Sequence, residues 1–267
     1  MAIRTFLVLV FSFVLTQQYA QSIPSYWMNI YHLYDYYAVR GDSVENIKVD
    51  VKEYYDSGES YTNKWTYAYK NRQTIQGTHT KDGDVDTRFE YKLDSLNQVI
   101  KRTIDSKFVN STWRREGYEF DYQGGKLTTE RQFSDKTFVR LAKYSYNNNG
   151  FLTKITFFNH ENTLLSYETA IYMTDRPSYM NEVFNDKREP LSEHEFPCKI
   201  DSSSNKKNDY GDWTQILWLS STAENTVLYT MEYQYDKRLN WTERKAFIVA
   251  NGKKKPLSIV KRKLVYK

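Results

Sequence analysis

The sequence predicts an all-β protein, an antiparallel meander of repeated β-hairpins whose aromatic face must be covered, either by curling of the sheet or by folding into two packed layers. Three observations carry this expectation. A tyrosine-led frame of eight residues recurs along the chain, aromatic side chains are abundant, and no segment beyond the N-terminus shows helical periodicity. The 267 residues include 24 Tyr, 14 Phe and 6 Trp, 16 % aromatic in all, against 10 Gly and 5 Pro. That composition excludes a disordered chain, which carries few aromatics, and a collagen-like or linker-dominated one.

The frame has Tyr at position i, an apolar residue usually at i+2, Asp or Asn often at i+3, and an apolar residue at i+8. It appears in Tyr67, Tyr69 and Ile75; in Tyr91, Leu93, Asp94 and Val99; and in Tyr144, Tyr146, Asn147 and Leu152. It recurs in Tyr172, Thr174, Asp175 and Met180, and in Tyr233, Tyr235, Asp236 and Trp241. Positions i and i+2 share one face of a strand. If i+3 opens a three-residue loop, i+2 comes to lie opposite i+8, and the two side chains form a cross-strand pair. Such a loop is a type I turn closed by a left-handed residue, the place of Gly150, and the i+3 carboxylate or amide can bond the turn backbone. Phe120, Tyr122 and Leu127 span seven residues because Gly124 and Gly125 form a two-residue primed turn, which keeps Tyr122 opposite Leu127. A seventh unit begins at Cys198, Ile200 and Asp201 and resumes at Gly211, Asp212 and Trp213. The polar run from Ser202 to Tyr210 between them is expected to form a long, mobile hairpin tip.

The N-terminus reads as an address. Arg4, an apolar run from Phe6 to Leu15 and Ala20 before Gln21 have the layout of a secretory signal over residues 1–20. Residues 21–66 fit the frame poorly, although Val44, Ile47, Val49 and Val51 suggest strands, and are expected to form an atypical β unit acting as a cap. Residues 67–267 form the repeat region of the same domain. Without Arg4 the exported chain carries 37 Lys and Arg (38 less one) against 33 acids, a net +4. That balance does not call for a polyanion partner, and export argues against nucleic acid. The clusters Lys253-Lys254-Lys255 and Lys261-Arg262-Lys263 read as solvated strand faces. A membrane barrel would need an apolar outward face, whereas Lys126, Glu130, Arg131, Glu232 and Lys237 fall at alternate positions, so the chain is expected not to span a membrane.

The segments Tyr144 to Thr153 and Tyr235 to Thr242 resemble the tyrosine–aspartate, or Rhs-type, repeat. Gly124, Gly125, Lys126, Leu127 and Thr128 are similar to a variant common in exported proteins of Bacteroidota-like bacteria. The resemblance covers about Tyr67 to the C-terminus and implies a curved or spiralling antiparallel sheet and association with carbohydrate or cell-surface ligands.

The motifs of catalysis are missing from the sequence. The four His are isolated, Cys198 has no partner cysteine, and there is no nucleophile elbow, phosphate loop or dinucleotide fingerprint. Asp82, Asp84 and Asp86 begin like a calcium loop, but Thr87 and Leu93 stand where Gly and Glu are needed. No cofactor is expected. The reading is an exported, non-enzymatic binding or scaffolding surface in the periplasm or outside the cell, with carbohydrate or another envelope protein as partner. Tyr210, Trp213 and Trp218 are the candidate ligand-binding residues. Two alternatives stand beside it: a hydrolase using acidic residues, and a fragment of an Rhs-like shell.

Overall fold

A computed structural model describes residues 23–24, 26, 35–41, 43–54, 58–81, 83–107, 112–175, 178–197, 205–219, 226–250 and 252–267. Residues 1–20, where a secretory signal is expected, and Cys198, Ile200 and Asp201 lie outside the described residues. Among the described residues the fold is almost wholly β, an antiparallel meander, as the frame predicts, with seventeen strands. The residues divide into two compact units. One gathers the described parts of Met1–His32, Tyr122–Thr129 and Arg140–Ile200; the other gathers those of Leu33–Asp121, Glu130–Val139 and Asp201–Lys267.

The strands are β1 (Val44–Tyr54), β2 (Ser60–Asn71), β3 (Thr74–Lys81), β4 (Asp84–Leu93), β5 (Val99–Lys107) and β6 (Trp113–Gln123). They continue with β7 (Lys126–Ser134), β8 (Thr137–Tyr146), β9 (Leu152–Asn159), β10 (Leu164–Tyr172), β11 (Ser178–Asn185) and β12 (Pro190–Pro197). The last five are β13 (Lys206–Lys207), β14 (Trp213–Leu219), β15 (Thr226–Tyr235), β16 (Trp241–Ala250) and β17 (Lys253–Tyr266).

Six turns follow one design. Asp94, Asn147, Asn159, Asn185, Asn208 and Asp236 each accept two backbone N–H bonds on one side-chain oxygen, from the residues two and four further on. The residue three further on has positive φ: Asn97, Gly150, Asn162, Arg188, Gly211 and Leu239. A left-handed conformation costs a non-glycine residue about 1–2 kcal/mol, and the two bonds to the Asx oxygen offset that. The flanking pairs are those of the frame: Leu93 faces Val99, Tyr146 faces Leu152, and Tyr235 faces Trp241. Each ladder then slips by one residue, a bulge that bends the strand beyond the turn. At three bulges a threonine hydroxyl (Thr153, Thr214, Thr242) donates to the carbonyl across it. Gly124 and Gly125 both have positive φ, as the two-residue turn requires.

The structure corrects four expectations. Met180 pairs with Ile171, and Tyr179 with Tyr172, so Thr174 and Met180 do not face each other; Ser178, which would have to be the left-handed residue, is instead the first residue of β11. The seventh unit is not a long tip. Lys207 faces Trp213 across the regular Asn208 turn, and the frame was hidden because a lysine occupies the aromatic position. Tyr69 faces Ile75 as predicted, but a bulge places Asn71 opposite Thr74, so Asn71 rather than Lys70 opens that turn. Finally, β1 is no terminal cap. It pairs with β2 on one side and β17 on the other, and the 66/67 boundary falls inside β2.

In the larger unit, Val44, Ile47, Val49 and Val51 of β1 join Tyr67, Ile75, Phe89, Leu93, Trp241 and Val260 in a buried core. The sheet does not cover this face alone, because residues 35–41 lie across it. Tyr36 belongs to the core, Tyr37 packs on Tyr67 and Tyr91, and the Tyr69 hydroxyl donates to the Tyr37 carbonyl. Arg262, buried with its guanidinium 3.5 Å from the Trp241 ring centroid, donates to the carbonyls of Tyr36, Ala38 and Trp241. Burial lowers its pKa to about 10, so it stays charged at neutral pH.

In the smaller unit, Ile23, Ala142, Leu152, Ile155, Phe157, Ala170 and Tyr179 form the core. The Ile23 amide donates to the fully buried Glu168 carboxylate at 3.1 Å. Tyrosine hydroxyls stitch neighbouring strands within each unit: Tyr146 to the Leu127 carbonyl, Tyr172 to Leu152 and Tyr233 to Trp213, at 2.7–3.0 Å. These bonds explain why the frame uses Tyr where Phe would pack as well.

Candidate functional site

The predicted ligand-binding residues sit on the β13–β14 hairpin. Tyr210, in the turn, is exposed but rests on Tyr235 with centroids 4.7 Å apart, and its carbonyl accepts from Arg40. Arg40 also pairs with Asp212, which takes the Tyr235 hydroxyl. Arg40 and Asn240 exchange bonds as well, the Arg40 amide donating to the Asn240 side-chain oxygen and the Asn240 amide nitrogen to the Arg40 carbonyl. This network anchors the 35–41 segment. Trp213 is half-buried beneath the Lys207 ammonium, 4.3 Å from its ring. Trp218 pairs with Val227 in the ladder, and its side chain lies outside the described residues. Tyr210 and Trp213 therefore already serve the fold as packing and anchoring groups.

An open cleft of about 580 Å³ lies elsewhere in the larger unit, lined by Arg88, Asp105, Trp113, Arg115, the turn residues Asp135 and Lys136, and Thr137 at the start of β8. Its floor is a cross-strand row. The ladder sets Arg88 of β4 opposite Asp105 of β5, and Asp105 opposite Arg115 of β6. The Asp135 amide donates to the Arg115 carbonyl at 2.9 Å, which docks the β7–β8 turn at the end of the row.

The charges in this row are unequally matched. Arg115 grips Asp105 through two bonds, Nε–Oδ1 at 2.7 Å and Nη2–Oδ2 at 2.8 Å. The Arg115 bonds hold the Asp105 carboxyl below its ordinary range, with help from the nearby Arg88 charge. Arg88 has no carboxylate of its own among the described residues; its guanidinium lies 4.6 Å from the Trp113 ring centroid. Lys136 likewise has no ion pair among the described residues. Three cations against two carboxylates leave one positive charge in excess. Trp113 keeps 39 % of its surface exposed. The cleft can therefore offer an indole surface, a flat guanidinium held on that indole, and a flexible ammonium on the rim.

Sequence reasoning missed this site. Arg88, Asp105 and Arg115 carry no linear spacing signal, because their alignment depends on the register of two successive hairpins. Of the residues that resembled a calcium loop, Asp86 lies with its carboxylate 2.6 Å from His79 Nδ1. Among the described residues no three His, Cys, Asp or Glu side chains gather as a metal site would need. Among them, too, no helix is long and apolar enough to cross a membrane.

No protein-family model and no curated protein matches this chain. Among solved structures it is similar to a porin-like protein from Bacteroides uniformis, with 15 % sequence identity over 84 % of this chain and 98 % of that one and a TM-score of 0.40.

Proposed function

We propose that this chain is an exported, non-enzymatic β-hairpin repeat protein that presents a binding surface for carbohydrate or carbohydrate-bearing cell-surface ligands, with the Arg88–Trp113 cleft as the point of contact. The observation that carries the reading is Trp113: a large, partly exposed indole in a concave site, held on strands rather than on a loop. Exposed aromatic faces offer sugar rings an apolar platform, and concave sites with a few fixed polar groups are where small ligands bind.

A second reading, a hydrolase using acidic residues, draws on the presence of Asp105 and Asp135 in the same cleft. Hydrolysis of a glycosidic bond uses one carboxyl with a raised pKa as general acid. Asp105 is shifted the other way, with both of its oxygens bonded by Arg115. That favours binding over turnover.

The test is a glycan-array screen of the protein beginning at Gln21, alongside Trp113→Ala. The expected outcome is binding to a restricted glycan set that the substitution abolishes. Binding to no glycan, or binding indifferent to Trp113, would remove the reading.

A further inference from the structure

The three cations of the cleft do different work, and their arrangement narrows the ligand. Asp105 lies opposite both Arg88 and Arg115, yet only Arg115 has the paired Nε and Nη2 geometry on it. A carboxylate held bidentately has its best acceptor directions occupied. The Arg88 guanidinium is instead laid on Trp113. An arginine stacked on an indole keeps its N–H groups at the rim of the plane, pre-set for a second planar fork, and loses little further rotamer freedom on binding. Lys136, on the turn that Asp135 docks against β6, adds a mobile point charge on the same cleft.

We infer that the cleft takes an acidic saccharide, its anionic group held by Arg88 and Lys136 and its sugar ring lying against Trp113. The inference rests on the carbohydrate reading above and deepens it. Shared chemistry defines the ligand: an anionic oxygen group, carboxylate or sulfate, carried on a sugar ring. The planar fork of Arg88 matches a carboxylate with two coplanar oxygens, so a uronate should bind more tightly than a sulfate ester of equal length. A neutral sugar would leave the surplus charge unanswered, and nucleic acid would bring phosphodiesters and stacking bases in place of a carboxylate on a pyranose ring.

The experiment is isothermal titration calorimetry on the protein beginning at Gln21 at low salt. The probes are an oligogalacturonate, a carrageenan oligosaccharide that carries sulfate esters and no uronate, a neutral gluco-oligosaccharide of equal length and single-stranded DNA. They are titrated into wild type, Arg88→Gln, Lys136→Gln and Trp113→Ala. The uronate is expected to bind at least tenfold more tightly than the neutral sugar, with the sulfate between them. Arg88→Gln should cost about tenfold for acidic probes, Lys136→Gln a few-fold, and Trp113→Ala should cost binding to every sugar. Unchanged circular-dichroism melts for Arg88→Gln and Lys136→Gln would confirm that the loss is local. Equal affinity for neutral and acidic sugars, or acidic binding indifferent to Arg88, overturns the inference while leaving the carbohydrate reading intact. Binding of DNA as tightly as of the uronate also overturns it. Binding of no sugar at all overturns both.

Discussion

Gly77 sits mid-strand in β3, between Tyr67 of β2 and Phe89 of β4. Those two rings meet across it with centroids 5.3 Å apart. A Cβ at this position would lie 2.0 Å from the Thr66 carbonyl oxygen and 2.4 Å from the Phe89 ring. A side-chain tip can swing away, but the Thr66 carbonyl belongs to the backbone of a paired strand and can move only if the ladder moves. Overpacking of this kind costs about 1–3 kcal/mol, and contact with backbone places Gly77→Ala at the upper end. Restricting the unfolded chain returns about 0.4–1 kcal/mol. The net expectation is a loss of about 2 kcal/mol, which lowers a urea midpoint by about 0.7 M at a slope of about 3 kcal/mol/M. Gly117→Ala in β6 is the internal control. Its Cβ would meet Phe133 at an ordinary 3.5 Å, and the change should be nearly neutral. Urea titration followed by tryptophan fluorescence reads both. Gly77→Ala unfolding with wild type, or Gly117→Ala costing as much, would refute the steric account of how Tyr67 and Phe89 close over the strand.

Replacing Gly124 and Gly125 by two valines should destabilise the protein by about 2–4 kcal/mol through left-handed strain alone, since a Cβ at either position meets open space; an unchanged melting temperature would contradict the turn type. Tyr172→Phe should cost about 1 kcal/mol by removing the bond to the Leu152 carbonyl while keeping the ring, measured by thermal melting; no loss would mean that packing alone selects tyrosine there. Burial pushes the Asp236 carboxyl up, but the Tyr266 hydroxyl and the Asn240 and Arg238 amides outweigh it, so its folded pKa lies below the ordinary value. Its contribution is therefore present above about pH 4 and is lost as pH falls through the depressed folded value. Asp236→Asn should keep the turn, as Asn147 does in its own, and flatten the acid limb of stability against pH. An acid limb as steep as that of wild type would show that the carboxylate plays no such part.

The turns show where local sequence suffices. Asp94, Asn147 and Asp236 were legible as turn openers because an Asx side chain bonds its own backbone within four residues, and the loop length then sets which residues face each other. Asn159 and Asn185 obey the same rule and were missed, since no tyrosine heads their frames; Asn208 was obscured by Lys207. The Tyr172 unit failed because its spacing matched while its turn chemistry did not. Val44, Ile47, Val49 and Val51 suggested a strand from sequence, but only the structure shows that all four are buried, Val44 across a register shift, and which strands flank β1.

Local residues thus determined this protein's hairpins, their cross-strand pairs and its all-β class, because those depend on torsions and hydrogen bonds spanning fewer than ten positions. Tertiary structure alone decided that β17 returns to β1, that residues 35–41 cover the aromatic face, and that Arg88, Asp105 and Arg115 align beside Trp113. Each of these joins groups from separate strands or distant segments, and their meeting depends on accumulated register and on which buried face remains to be covered. Neither quantity is written in any single stretch of the chain.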